Sequence, residues 1–255
     1  MANVNDIVQA FNELSERNSF DIFIPSLKRN VKFKPLTSKQ QKSFYACLVD
    51  SALYSSRFVI ASFEIIKENC LEPDIINTLT TIDRIVILLT IRKNTMGSAF
   101  TVLKDNAPYT TDFELSLQQA ATIEIPESKT VTVKNVKVEL HTPLAIDQYG
   151  IEKELRSVQI DMSSDANTAI ENAILNESCK IIKNVWLIDN DTPIDLNYTA
   201  FSYKDRITLV ENLPAEIIFE IQEFVTVVNK SINKLLTADI NGTSIPFRVD
   251  FFLDK

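Results

Sequence analysis

Histidine and cysteine build many catalytic and metal sites, and this chain has few of either. His141 is the single histidine among 255 residues; it lies close to Pro143, with no serine or cysteine motif placed against it. One histidine cannot form a histidine-based metal cluster, and a lone histidine is more often structural than catalytic. We therefore predict a structural or surface role for His141.

The three cysteines also lack the spacing of a functional site. They are Cys47, Cys70 and Cys179, an odd number, widely separated and without a CxxC pair. Disulfide frameworks use even sets of cysteines, and zinc sites use closely paired ones. The sequence therefore predicts reduced thiols and no cysteine-bound metal.

One acidic segment, DNDTPID, superficially resembles a calcium-binding loop. It carries Asp189, Asp191 and Asp195. Such a loop needs glycine at its sixth position and a bidentate glutamate at its twelfth, but counting from Asp189 these are Ile194 and Ala200. An Asx-type turn after NVWLI is the favoured interpretation. No pair of carboxylates elsewhere can be identified as converging for acid–base chemistry.

Glycine content and charge exclude further classes of function. Only 3 glycines occur, whereas phosphate-binding loops, dinucleotide fingerprints and nucleophile elbows all depend on glycine. The net charge of −8 argues against a nucleic-acid partner. The most apolar stretch, TTIDRIVILLTIRK, is interrupted by charges and predicts a buried helix, not a membrane span. We predict no catalytic, cofactor-binding or metal-binding residue and no membrane partner.

The first hairpin of the chain concentrates positive charge. FDIFI predicts a buried strand. VKFKP alternates apolar and basic residues, which is typical of a strand with one solvent-exposed face. The hairpin cations are Lys28, Arg29, Lys32 and Lys34. Two interpretations stay open: a docking surface for an acidic partner, or a solvated edge that lysine protects from wrong strand pairing.

Helices are predicted before and after this hairpin. An amphipathic helix over Asn5–Arg17 is expected to pack on its own domain, with a partner-binding appendage as the alternative. Thr37 or Ser38 is expected to cap the helix after the hairpin. The later helices are predicted at Tyr45–Tyr54, Phe58–Asn69 and Thr81–Lys93, followed by a linker over Asn94–Thr111.

The second half mixes strands and helices. FELSLQQAATIEIP and TVTVKNVKVELHTP both alternate, and the latter predicts a hairpin with Lys134-Asn135 at its tip. The segment ending in NVWLID is predicted to be helical, with Trp186 in the core. Pro214 to Leu236 predicts a long helix that packs within its own fold, with a coiled coil as the alternative. A hairpin through Asn241-Gly242 is expected to end the chain.

These elements predict an α+β fold, with a mainly helical body, a small antiparallel β subdomain and terminal β-hairpins that are candidates for mutual pairing. We divide the chain into a helical extension (1–19), a hairpin plus helical block (20–97), a β-rich insert (112–143) and a helical region with a long helix and C-terminal hairpin (144–255).

The order of the segments along the chain is similar to that of a known protein family. FIPSLKRNVKFKPLTSKQQK is followed by IDRIVILLTIRKNTMG, KVELHTP and LPAEIIFEIQEFVTVVNKSIN, and the series ends with SIPFRVDFFL. This order resembles the baseplate hub subunit and hub assembly protein family of T-even-type contractile-tailed bacteriophages. The likeness covers roughly Phe20 to Leu253, and residues 1–19 look like an extension outside it.

The resemblance implies a non-enzymatic late viral protein that acts in hub and tail assembly through protein–protein contacts. Implied partners are other tail and baseplate hub proteins and a second copy of the chain, in the virion tail baseplate or in the host cytoplasm during assembly. The alternative is a transient chaperone for a hub or tape-measure protein, absent from the finished virion. An enzyme with an unrecognised carboxylate site and a DNA-binding protein are the remaining, weaker classes. No family residue carries a catalytic role, so the hairpin cations are the candidate partner-binding site.

Overall fold

The computed structural model describes residues 3–47, 56–104, 107–157, 166–190, 192–240 and 243–247. The helices of this part are α1 (Val4–Arg17), α2 (Ser38–Tyr45), α3 (Ser56–Asn69), α4 (Thr81–Met96), α5 (Glu114–Ala120), α6 (Ala145–Ser157), α7 (Ala166–Ile181), α8 (Tyr203–Glu211) and α9 (Ala215–Leu235). The strands are β1 (Phe20–Ile24), β2 (Arg29–Phe33), β3 (Ala99–Lys104), β4 (Ala107–Asp112), β5 (Lys129–Val133), β6 (Val136–Leu140), β7 (Ile182–Asp189), β8 (Thr192–Asp195), β9 (Thr237–Ile240) and β10 (Thr243–Pro246). Short 3₁₀ helices lie at Pro73–Thr78 and Tyr198–Ala200.

The fold is α+β, as the sequence predicts. A four-stranded antiparallel sheet has the order β5-β6-β7-β8, and β1-β2, β3-β4 and β9-β10 form separate two-stranded hairpins. Lys134, at the tip of the predicted β5–β6 hairpin, has a φ of 53°. The N-terminal and C-terminal hairpins do not pair with each other within the described residues. The Asn241-Gly242 turn and the chain from residue 248 onward lie outside the described residues.

Helix α4 forms the centre of the core. Residues 81–89, 91 and 92 are buried, so that the helix is enclosed on nearly every side, and the charged Asp83, Arg84 and Arg92 are among the buried residues. Thr80 caps its start in a capping box with Asp83, and Gly97, with a φ of 89°, follows its last turn. The buried helix predicted here is confirmed.

The N-terminal hairpin packs one face on this core. Ile22, Ile24, Val31 and Phe33 are buried, and the residues between them face outward. The segment FDIFI is therefore buried on one side only, not wholly as predicted. Thr37 caps α2 with Gln40, as predicted, although α2 ends at Tyr45. The rest of the helix predicted to Tyr54 falls largely outside the described residues.

Two predictions between residues 94 and 126 are wrong. The expected linker Asn94–Thr111 contains the β3–β4 hairpin, and FELSLQQA forms helix α5 instead of a strand. Leu, Gln, Glu and Ala are good helix formers, and α5 packs on α4 and α9. The alternation that suggested a strand comes only from the following TIEI.

A third error concerns NVWLID, which forms strand β7 in the centre of the four-stranded sheet. Helix α7 ends at Ile181, and Val185 then pairs with Val138 of β6. β-branched and aromatic residues with alternating burial favour a strand here. Trp186 is only half-buried, and its ring lies 4.8 Å from Lys137 Nζ. It is therefore not the helical core residue that was predicted.

Helix α9 packs within its own fold, as predicted. Its buried residues are Ile217, Ile221, Phe224, Val228, Ile232 and Leu235.

By contrast, α1 does not pack on its own domain as expected. Val4 is 71% exposed, Val8 52%, Phe11 67% and Leu14 52%. An amphipathic helix thus presents its apolar side to solvent. The four-part division of the chain stays a prediction.

Candidate partner-binding surface

The hairpin cations differ in their surroundings. Lys28 lies at the β1–β2 turn with a φ of 52°, and it is exposed, as is Lys32. Lys34 is half-buried after β2. Arg29 forms an ion pair with Glu72, with 2.7 Å between Nη2 and Oε2. Three of the four predicted cations therefore remain without an ion-pair partner among the described residues.

The partner of Arg29 is distant in sequence, which is why sequence reasoning missed it. The antiparallel bridge between Phe33 and Cys70 brings the segment after α3 alongside β2. Glu72 then meets Arg29, and the hydrogen bond from Arg29 lowers the pKa of Glu72. Both side chains are well exposed, so this pair serves more to fix the arginine than to stabilise the fold.

The turn that carries Lys28 is anchored to the core helix. The Ser26 amide donates a hydrogen bond of 3.0 Å to Asp83 Oδ1. Asp83 Oδ2 accepts from the Thr80 amide at 2.7 Å and from the Thr80 hydroxyl at 2.8 Å. One buried carboxylate thus holds both the helix start and the hairpin turn.

Beside this turn lies a cleft of about 1090 Å³, here called the α9 groove. It is lined by the hairpin turn, the loop after α5 and the C-terminal half of α9. The lining residues are Pro25, Ser26, Lys28, Gln119, Thr122, Ile123, Glu124, Ile125, Pro126, Glu127, Val227, Lys230, Ser231 and Lys234. Ile123, Ile125 and Val227 supply apolar surface. Lysines occupy the hairpin and helix sides, and two glutamates occupy the loop side.

Sequence analysis missed two lysines of this groove. Lys230 and Lys234 are exposed one turn apart on α9, and the fold places them along the same cleft as Lys28. Their i, i+4 spacing opposite the buried stripe was the available signal. None of these three lysines forms an ion pair among the described residues. The groove can therefore receive an apolar segment that carries negative charge.

A second concave region is a polar cavity of about 260 Å³ between α4, α6, α7 and α9. Lys180, in its wall, donates to Glu152 at 2.8 Å and to Glu177 at 2.9 Å. Burial lowers the pKa of Lys180, but the two carboxylates outweigh it and the net direction is upward. This ion cluster connects α6 to α7 and acts as a structural element.

The single histidine and the three cysteines are buried or half-buried. Burial, together with nearby Lys183, lowers the pKa of His141 to about 4. Cys47, Cys70 and Cys179 are free thiols in the core, and burial raises the pKa of Cys179 to about 11. Among the described residues, no group of three or more His, Cys, Asp or Glu side chains could hold a metal ion.

The acidic segment DNDTPID comprises the last residue of β7, the turn that follows it and strand β8. Asp195 Oδ1 accepts from the Asn197 amide at 2.7 Å and from the Asn184 side chain at 2.8 Å, which gives an Asx-type turn after β8. This turn lies further along the chain than the one predicted after NVWLI. Asp191 lies outside the described residues. In the described ranges, no helix is long and apolar enough to cross a membrane.

A family model described as "T4 bacteriophage base plate protein" matches residues 17–238, which include the hairpin and all of the α9 groove. The chain belongs to this family. Searches of curated proteins and of solved structures found no match.

Membership in the T4 baseplate family implies a structural or assembly role in the phage baseplate, contacts with other baseplate or tail proteins, and a location in the virion tail. It also suggests a non-enzymatic role. The family match begins at Arg17, the last residue of α1, so that nearly the whole helix precedes the matched region.

Proposed function

We propose that this T4-type baseplate protein acts in the baseplate hub, where it joins hub components through protein–protein contacts. The observation that carries the proposal is a lysine-rich hairpin within the family-matched region. Lys28, Lys32 and Lys34 form no ion pair among the described residues, whereas Arg29 does. Unpaired cations on a rigid element favour an acidic partner by electrostatic steering.

The anchoring of the hairpin supports a docking role. Its inner face is in the core, its turn is held by Asp83, and β2 adjoins the segment after α3. A surface on such a rigid support binds with little loss of conformational entropy. The outward lysines are therefore presented at fixed positions.

Charge reversal tests this role. The test variant changes the three hairpin lysines, Lys28→Glu, Lys32→Glu and Lys34→Glu, and leaves Arg29 with its partner. The matched control reverses Lys67, Lys134 and Lys204, which are exposed, unpaired among the described residues and equal in charge. Lys134 shares the positive φ of Lys28, so the backbone conditions are also matched.

We expect the hairpin variant to fold but to lose co-purification with hub proteins and to form few tails, and the control to assemble normally. Normal hub binding and tail formation by the hairpin variant would rule out the docking role. A wild-type chain that binds other baseplate proteins but no hub protein would contradict the hub assignment.

The same system separates the structural role from the chaperone alternative, in which the chain leaves before the virion is complete. Purified tails containing the chain in fixed stoichiometry would support a structural hub component. A chain required for tail formation but absent from purified tails would support a transient chaperone.

A further inference from the structure

We propose that this protein self-associates by inserting helix α1 of one copy into the α9 groove of another. This interaction goes beyond the proposed hub role and can be tested without any other tail protein. It rests on two complementary surfaces of the same chain.

The first surface is the apolar side of α1. Val4, Val8, Phe11 and Leu14 are each more than half exposed, and they span about 15 Å of helix axis at 1.5 Å per residue. Within the described residues, this is a continuous hydrophobic stripe on a helix that has a complete capping box at its start. A well-capped helix with one apolar side is suited to bind in a groove.

The second surface is the α9 groove. Its volume of about 1090 Å³ slightly exceeds the range of protein ligand clefts, roughly 300–1,000 Å³, and can hold several side chains of one helix face. Val227, which is 52% exposed, provides apolar surface together with Ile123 and Ile125. The groove thus has a surface that an apolar stripe can cover.

The charges of the two surfaces are complementary. Helix α1 carries three carboxylates, Asp6, Glu13 and Glu16, against one cation, Arg17. The groove presents three lysines from the hairpin and α9 against two glutamates on its loop side. Glu13 and Glu16 lie roughly 200° and 140° around the helix from Phe11, away from the stripe. With the stripe in the groove, they face away from its floor, so their attraction to the lysines acts through solvent, over distances comparable with a Debye length of about 8–10 Å. Such contacts affect the association rate and salt dependence more than the final affinity.

The connection between α1 and β1 favours a second copy as the source of the helix. Only Asn18 and Ser19 separate the two elements, and both amides donate to α1 carbonyls, at 3.1 and 3.2 Å. This arrangement fixes the direction in which the helix leaves the hairpin. Among the residues that the structure describes, none from α1 lines the groove of its own chain. The contact is head-to-tail, and each copy provides one helix and one groove.

The test measures the mass of the isolated full-length chain by sedimentation velocity over a range of concentrations. We expect oligomers that weaken as salt is raised. Phe11→Glu and Val227→Glu should each raise the dissociation constant about tenfold or more, because each places a charge in the apolar contact. Phe219→Glu is the matched control: Phe219 is 60% exposed on α9 but does not line the groove.

A mixture of the two variants provides the sharper test. A Phe11→Glu chain retains an intact groove, and a Val227→Glu chain retains an intact α1. The mixture should therefore form one-to-one pairs although neither variant associates alone. Reversing Lys230 and Lys234 to Glu should weaken association, and adding Glu13→Lys and Glu16→Lys should restore it.

Several results would overturn the proposal. A wild-type chain that stays monomeric at every concentration would contradict self-association. Loss of association in Phe11→Glu but not in Val227→Glu would instead indicate pairing of two α1 helices. Equal loss in the Phe219→Glu control, or a mixture that does not pair, would also contradict insertion of α1 into the groove.

Discussion

The Ser26 amide and the Asp83 carboxylate join the hairpin turn to the core helix through a hydrogen bond of 3.0 Å. Asp83 is fully buried, and its other carboxylate oxygen caps α4. The position of Lys28, two residues beyond Ser26, therefore depends on a helix cap that is distant in sequence.

Replacing Asp83 should weaken the connection between the hairpin turn and α4. Asp83→Ala leaves the half-buried amide of Ser26 and the buried amide of Thr80 without their acceptor. We expect a loss of about 3 kcal/mol in the free energy of unfolding. Urea denaturation measures it. Asp74→Ala is the control, because Asp74 is exposed in the first turn of a 3₁₀ helix and should change stability little. Equal effects of the two substitutions would contradict the role of Asp83.

His141 should make the protein sensitive to mild acid. The folded pKa is about 4, below the ordinary value of 6.5. Between these values the unfolded chain binds more protons, so stability is complete above pH 6.5 and falls as the pH decreases towards 4, by at most roughly 3 kcal/mol.

The single histidine makes this prediction direct to measure. NMR titration of its ring protons should show no protonation down to about pH 5, and His141→Gln should flatten the stability profile between pH 6.5 and 4 relative to wild type. The carboxylates contribute equally to both proteins, so the difference isolates His141. A titration midpoint near 6.5 would contradict its burial.

Removing the cation of the buried ion cluster alone should destabilise the protein more than removing the cation and a carboxylate together. Lys180→Met leaves Glu152, which is 4% exposed, without its cation, and we expect a loss of about 3–5 kcal/mol. The double variant Lys180→Met with Glu152→Met removes both charges and should recover at least half of that loss. Thermal and urea denaturation compare them.

The control for the ion cluster is Lys183→Met, which removes the exposed partner of Glu139. We expect this change to stay within about 0.5 kcal/mol of wild type. A double variant as unstable as Lys180→Met alone would contradict the assignment of the loss to the unpaired carboxylate.

Replacing either of two phenylalanines on α9 should have sharply different effects on the free energy of unfolding. Phe224 is 7% exposed and Phe219 is 60% exposed. Phe224→Ala should cost about 3–5 kcal/mol through lost burial and a cavity, whereas Phe219→Ala should stay within about 0.5 kcal/mol. Because both are on one helix, the difference reports burial and not helix propensity. Equal losses would contradict the orientation of α9.

The strongest local patterns predicted their elements well. The alternation of Val31 and Phe33 with lysines, and the apolar spacing along α9, depend on neighbours in sequence, and the structure has both elements. Prediction failed at FELSLQQA and NVWLID, where short apolar segments fit either helix or strand. There the packing of α5 on α4 and α9, and the pairing of β7 with β6, decided the outcome.

By itself the sequence determined the α+β class, the buried central helix and the basic hairpin, because these follow from composition and local periodicity. The order of its segments carried the resemblance to a phage baseplate family. Only the tertiary structure decided that Arg29 pairs with Glu72, that Lys230 and Lys234 join Lys28 along one groove, and that α1 leaves its apolar side exposed. The physical reason is that ion pairs, grooves and exposure depend on distances between residues far apart in the chain, which local spacing does not contain.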